Sequence, residues 1–424
     1  MLFQNSLDYF ELYLKIVNME TRNKYVEYWQ EISASKEMIF LAGPRQSGKT
    51  TLAQNIIGTL FANVSYFNYD FIESKKIIKE DPYFFEKLDR KDRSLPLVIF
   101  DEIHKHDNWK NYLKGVYDKF HRQYQFLVSG SGRLDLFQKS GDSLAGRYFM
   151  FHLYPLTLGE LGNSDLSPQN LLDDPINVPS FRNELWDIWA EIENFSGFPE
   201  PFLRGNKLFF NRWHRTYAKQ LLYEDIRDMS GIRKIDNLVS LFAILPSRVG
   251  SPVSINNLAM DIGTSFQTVN EWLRIFDKFF LTFSISPWTS KISRAIKKEK
   301  KLYLMNPALV EDKGSRVENI VAIELLRAVQ LWTDMGFGNF SLNFIRNKEK
   351  EEVDFLIAEN NRPRLLIEVK LSETSPAGSL IKFQNYLDIP AIQLVLKKET
   401  ARIIRNNNNK VLVVSAPDWL GALP

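Results

Sequence analysis

The chain has 424 residues, 44% hydrophobic and 25% charged, which is the balance of a globular protein long enough for roughly two to four cores. A net charge of +3 is too small to imply a nucleic-acid partner by itself, so that case has to rest on local patches. With no cysteine, disulfides, thiolate zinc sites and cysteine nucleophiles are excluded together, and no apolar run approaches the ~18 residues a membrane span needs. The first eight residues carry neither a basic n-region nor a small-residue cleavage site, so the expected location is the cytoplasm, without membrane association.

Residues 1–35, rich in Tyr and Leu, read as a helical N-terminal extension. Met38-Ile39-Phe40-Leu41-Ala42 then has the length and composition of a buried strand, and Thr51-Leu52-Ala53-Gln54-Asn55-Ile56-Ile57 reads as a helix. Between them, Gly43-Pro44-Arg45-Gln46-Ser47-Gly48-Lys49-Thr50 spells G-x-x-x-x-G-K-[ST], the loop whose backbone N–H groups cradle phosphates. Residues Gly43 to Thr51 are therefore the expected binding site for ATP. Lys49 would supply a charge near the β- and γ-phosphates, and the Thr50 hydroxyl one ligand to Mg.

A second apolar run, Leu97-Val98-Ile99-Phe100, ends in Asp101-Glu102. A strand buried on both faces that ends in two carboxylates suits a second half of the site. Asp101 would hold the Mg hydration shell and Glu102 would polarise the attacking water. The run Tyr124-Gln125-Phe126-Leu127-Val128 ends in Ser129-Gly130-Ser131, where Ser131 is placed to reach the γ-phosphate or the lytic water. Arg147, in Leu144-Ala145-Gly146-Arg147 before a fifth strand-like run, sits at a module edge. Two readings stand there: a finger reaching a neighbouring subunit's γ-phosphate, or a structural arginine paired with a local carboxylate.

This order of motifs resembles the AAA+ superfamily. More narrowly it is similar to a group of bacterial and archaeal ATPases with a winged-helix domain and a nuclease-like C-terminal domain. The segments Pro155-Leu156-Thr157-Leu158-Gly159-Glu160 and Ser196-Gly197-Phe198-Pro199-Glu200 add to the resemblance. It implies an α/β fold with a P-loop AAA+ core at 36–160, a helical lid at 161–234, a winged helix at 235–312, and a restriction-endonuclease-like α/β domain at 313–424. It also implies a homo-oligomer. Members usually have arginine before the aspartate where this chain reads Tyr223-Glu224-Asp225, and aspartate where it has Asn306.

From Leu238 the pattern changes. Ser254 caps a short helix stopped by Gly263, and Ser265 caps a longer one whose Phe266, Val269, Trp272, Leu273, Phe276 and Phe280 form one stripe. Gln267, Thr268, Asn270, Glu271 and Arg274 lie off it, in helix-turn-helix spacing suited to base edges. Strands over 280–285 and 301–305 follow, joined by a connection carrying Lys291, Arg294, Lys297, Lys298 and Lys300, a basic wing suited to a DNA backbone.

Finally, Glu352-Val353-Asp354-Phe355-Leu356-Ile357-Ala358 and Arg364-Leu365-Leu366-Ile367-Glu368-Val369-Lys370 read as a hairpin around Asn360, Asn361 and Pro363. A symmetric register sets Asp354 opposite Glu368, and period two puts Lys370 on the Glu368 face. Glu318 lies on the apolar stripe of a helix over 317–332, where an acid needs a partner. Asp354, Glu368 and Glu318 could hold Mg, with Lys370 orienting water. The spacing resembles the PD-(D/E)xK nuclease core, in which Asp354 and Glu368-Val369-Lys370 match the motif. The expectation is thus a Mg-dependent ATPase driving a DNA-binding, possibly DNA-cleaving, oligomeric machine. The rival is a signalling or defence ATPase whose nucleotide state switches assembly, with an inactive nuclease-like binding domain.

Overall fold

Five short runs of apolar residues form a parallel sheet: β1 (Met38–Ala42), β2 (Val64–Asn68), β3 (Leu97–Asp101), β4 (Gln125–Ser129) and β5 (Phe149–His152), in the order β2-β3-β4-β1-β5. The computed structural model describes residues 22–130, 134, 144–162, 173–176, 181–226, 235–290, 299–406 and 409–424. The chain divides into two units, Met1–Pro155 and Leu156–Pro424.

In the first unit every residue of β1, β3 and β4 is buried, because helices cover both faces of the sheet. Among the described residues three α-helices serve it: α1 (Asn23–Ser35), α2 (Ile72–Glu80) and α3 (Trp109–Phe120). Along α3, Trp109, Leu113, Val116 and Phe120 fall on one stripe and pack with Phe40, Phe100 and Phe126. Burying each such side chain contributes roughly 1.5–3 kcal/mol. The expected N-terminal helix is present from Asn23, with Tyr25 against Phe151 and Trp29 against Phe61. Residues 1–21 lie outside the described residues. After β1 the chain crosses to the far edge strand β2 and returns through β3 and β4. That leaves a crevice at the C-terminal ends of β1, β3 and β4, where open parallel sheets bind ligands.

The second unit opens with a one-turn helix, α4 (Leu158–Leu161), held by a reciprocal capping box between Thr157 and Glu160. Helices α5 (Asn183–Phe195), α6 (Pro199–Arg204) and α7 (Lys207–Gln220) follow, then a π-turn over Leu221–Ile226 and α8 (Ile235–Ile244). Helices α9 (Ile255–Ile262) and α10 (Phe266–Lys278) carry the caps read from the sequence: Ser254 and Ser265 accept from the third residue on, and Gly263 is left-handed at φ 66°. The antiparallel strands β6 (Thr282–Pro287) and β7 (Lys301–Leu304) follow. β6 starts two residues later than the apolar run suggests, because Phe280 takes φ 54° in the turn leaving α10. Phe266, assigned to the buried stripe, is 43% exposed at the helix start. The basic residues 291–298 lie outside the described residues.

The long helix α11 (Lys313–Asp334), capped by Asp312, precedes β8 (Phe340–Arg346), β9 (Glu352–Glu359) and β10 (Arg362–Lys370). Then come α12 (Gly378–Leu387), β11 (Ala391–Val395), β12 (Ala401–Asn406), β13 (Asn409–Ser415) and α13 (Ala416–Leu420). The sheet runs β12-β13-β11-β10-β9-β8-β6-β7. The link between β8 and β6 is a short parallel pairing, Ser286 with Asn343 and Pro287 with Phe344. The hairpin of residues 282–304 is thus continuous with the C-terminal sheet.

Candidate functional site

The loop after β1 turns back sharply enough that a Cβ on Gly43 would sit 2.0 Å from the Leu153 carbonyl oxygen. Only glycine fits there. Gln46 at φ 59° and Gly48 at φ 93° continue the turn, and Leu52 N–H closes the first helical bond on Gly48 O at 2.9 Å. The Lys49 ammonium is 7% exposed and donates to Gly43 O (3.1 Å) and Pro44 O (2.6 Å). Burial lowers its pKa to about 8, against the opposing pull of Glu102 and Asp101. Ser47 Oγ is buried and has no hydrogen-bond partner among the described residues. Native folds rarely leave such an atom orphaned, and a phosphate oxygen would satisfy it. The donors, the charge and the cradle all fit a polyphosphate.

The second half of the site lies on the neighbouring strand ends. Thr50 Oγ1 donates to Asp101 Oδ2 at 2.9 Å, so the hydroxyl and carboxylate expected to hold Mg converge. Hard oxygen donors of this kind fit Mg with its water shell. Tyr66 OH also donates to Asp101 Oδ2, at 2.8 Å, and Asn68 Nδ2 donates to Tyr66 OH at 3.2 Å. Sequence reasoning missed Tyr66; the only signal was its period-two spacing from Asn68 on β2.

Glu102 leaves the strand in the left-handed conformation, φ 54°. Its N–H bonds Ser129 O at 2.9 Å, and Lys105 Nζ lies 3.4 Å and His104 Nε2 3.5 Å from its carboxylate. Burial raises its pKa, with Lys105 opposing. Non-glycine residues held in this strained conformation cluster at active sites and ligand clamps. Ser131 lies outside the described residues; Ser129, in register with both Leu41 and Asp101, is fully buried. Arg147 forms a two-pronged pair with Asp118 of α3, at 2.6 and 3.1 Å, the local-carboxylate arrangement weighed from the sequence.

In the second unit the hairpin sets Leu366 opposite Leu356 and Ile367 opposite Phe355, after an irregularity at Arg364. The next step brings Asp354 beside Glu368. Asp354 N–H donates to Glu368 Oε2 at 3.3 Å and Val369 N–H to Asp354 Oδ2 at 3.0 Å. Lys370 Nζ bonds Glu368 Oε1 at 2.6 Å. Glu318 joins from α11, accepting from Tyr303 OH at 2.7 Å. Sequence reasoning missed the group at the centre: Lys301 Nζ lies 3.1 Å from Glu318, 2.7 Å from Glu352 and 3.2 Å from Asp354. The set therefore does not fit an open divalent-cation site. Among the described residues no group of three or more His, Cys, Asp or Glu side chains is placed to hold a metal ion. No helix among them is long and apolar enough to cross a membrane.

Three family models match consecutive parts of the chain: an AAA domain over residues 35–162, a domain of unknown function (DUF8612) over 188–313, and another (DUF4143) over 313–418. The protein MJ1544 of Methanocaldococcus jannaschii is 25% identical over 388 residues, spanning 89% of this chain and 83% of the relative. MJ1637 of the same organism is 23% identical over 392 residues, spanning 84% and 79%. Among solved structures, the Walker-type ATPase PABY2304 of Pyrococcus abyssi aligns with a TM-score of 0.44 at 14% identity, covering 68% of this chain and 94% of that one. With the geometry of the phosphate loop, the first of these family matches marks residues 35–162 as similar to an AAA-type P-loop ATPase domain.

Proposed function

We propose that the chain binds ATP with Mg and hydrolyses it between the ends of β1 and β3, and that the nucleotide cycle of a homo-oligomer moves a DNA-binding second unit. The observation that carries the first half is the meeting of Lys49, Thr50 and Asp101 at that crevice, with Glu102 beside them. Lys49 neutralises the phosphates and the Gly43–Thr51 loop positions them by its N–H groups. Thr50 and Asp101 would hold Mg, which would supply further positive charge beside the phosphates. Glu102 takes the proton of the attacking water as its oxygen bonds the γ-phosphorus and ADP leaves. Its elevated proton affinity makes it a better base than an exposed carboxylate.

The DNA half rests on helices α9 and α10 with the β6–β7 hairpin, which follow the order of a winged helix. Gln267, Glu271 and Arg274 are exposed, and Thr268 and Asn270 half-buried. A cleft of about 1050 Å³ is lined by Asn270, Arg274, Trp288, Lys300, Asn343 and Asn361, side chains that stack on bases, bond their edges or meet phosphates. Fluorescence anisotropy with labelled single-stranded and duplex DNA, at two salt concentrations and with and without ATP, tests it. Salt-sensitive binding weakened by Arg274→Ala is expected; ATP turnover without DNA binding would favour the assembly-switch alternative.

A further inference from the structure

We propose that the Lys301 ammonium is the resident cation of the acidic cluster in the second unit, filling the position a divalent metal would take and excluding one. The assignment rests on geometry. Lys301 and Tyr303 share one face of β7, and both side chains enter the cluster. An ammonium has three donor hydrogens, and three carboxylates surround this one at 2.7 to 3.2 Å, from α11 and from two positions of β9. Lys301 is 1% exposed, so bulk solvent does not reach it.

The carboxylates are committed in turn. Glu318 Oε1 is shared between Lys301 and Tyr303, and the Gly250 backbone closes over its other oxygen, where a Cβ would lie 2.9 Å away. Asp354 divides its oxygens between Lys301 and Val369 N–H, and Glu368 between Lys370 and Asp354 N–H. A divalent ion needs about six oxygen ligands at roughly 2.0–2.6 Å, and here Nζ stands between the oxygens that would supply them.

The test is Mn²⁺ binding by the full chain without nucleotide, read from the electron paramagnetic resonance of free Mn²⁺. An Asp101→Asn background removes the carboxylate of the first unit. At about 1 mM Mn²⁺ the background chain should hold no ion that further depends on Asp354. Lys301→Met should gain one bound ion per chain, and adding Asp354→Asn should remove it. Lys301→Arg, which keeps the charge, should gain none. An ion in the background chain that Asp354→Asn abolishes would overturn the proposal without any variant at Lys301. So would a folded Lys301→Met chain, shown by its circular dichroism and melting, that gains no ion.

Discussion

At the scale of single residues, Lys49 and Glu102 separate binding from turnover. Lys49→Ala removes the charge that neutralises the phosphates, so ATP affinity should drop and hydrolysis should vanish. Glu102→Gln keeps the shape but cannot take the proton, so it should bind ATP while turnover falls by about 10²–10⁴. Isothermal titration and a phosphate-release assay measure the two effects, and turnover like the parent's in Glu102→Gln would discard its role. Lys49 also sets a pH dependence. Its pKa in the folded chain is lowered to about 8, below the usual 10.5. Below about pH 8 it is already charged and ATP affinity should be flat on its account. Above that it is neutral when free, bound phosphates restore the proton, and affinity should fall by up to about tenfold per pH unit. Titrations at pH 8.5 in two buffers of different ionisation enthalpy should show net proton uptake. The same depression weakens the fold: the cost is full below about pH 8 and is relieved as pH rises toward 10.5, where the unfolded chain also loses its proton.

At the scale of elements, the phosphate loop and the capped helices depend on single backbone and side-chain contacts. Gly43→Ala would drive a methyl group into the Leu153 carbonyl, 2.0 Å away, and shift either the loop or the end of β5. The expected cost is about 1–3 kcal/mol, together with weaker ATP binding, read from denaturant unfolding and titration. Ser265 Oγ accepts from Thr268 N–H at 3.1 Å at the start of α10. Ser265→Ala should cost about 1 kcal/mol and leave ATP turnover unchanged, since the cap lies outside the nucleotide site. An equal loss of turnover would mean that α10 takes part in catalysis.

At the scale of the whole molecule, Arg147 tests the oligomer reading. In the first unit its guanidinium is paired with Asp118, so a role across an interface requires that pair to open. If it acts in trans, turnover per subunit should rise with protein concentration. Mixing Arg147→Ala with Lys49→Ala chains should then restore activity, because one interface keeps both intact halves. A rate independent of concentration and unchanged by Arg147→Ala would leave the Asp118 pair as its whole role. Light scattering with and without ATP reports the mass directly.

The local features were legible in the chain. The phosphate loop, the buried strands ending at Asp101 and Ser129, the Ser254 and Ser265 caps and the Asp354–Glu368 register are each set by a few neighbouring residues. Strand alternation, cap chemistry and turn residues act within such short stretches, and one sequence displays them. The remaining features arise from long-range packing. Tyr66 reaches Asp101 across the sheet, from 35 residues away. The β6–β7 hairpin extends the C-terminal sheet through pairing with β8, which no local pattern encodes. Lys301 is a surface lysine by composition, but β7 faces it onto carboxylates 17, 51 and 53 residues further along the chain. A charge is tolerated in a core only where distant partners meet it, so whether that cluster welcomes a metal or already holds its cation is decided by packing.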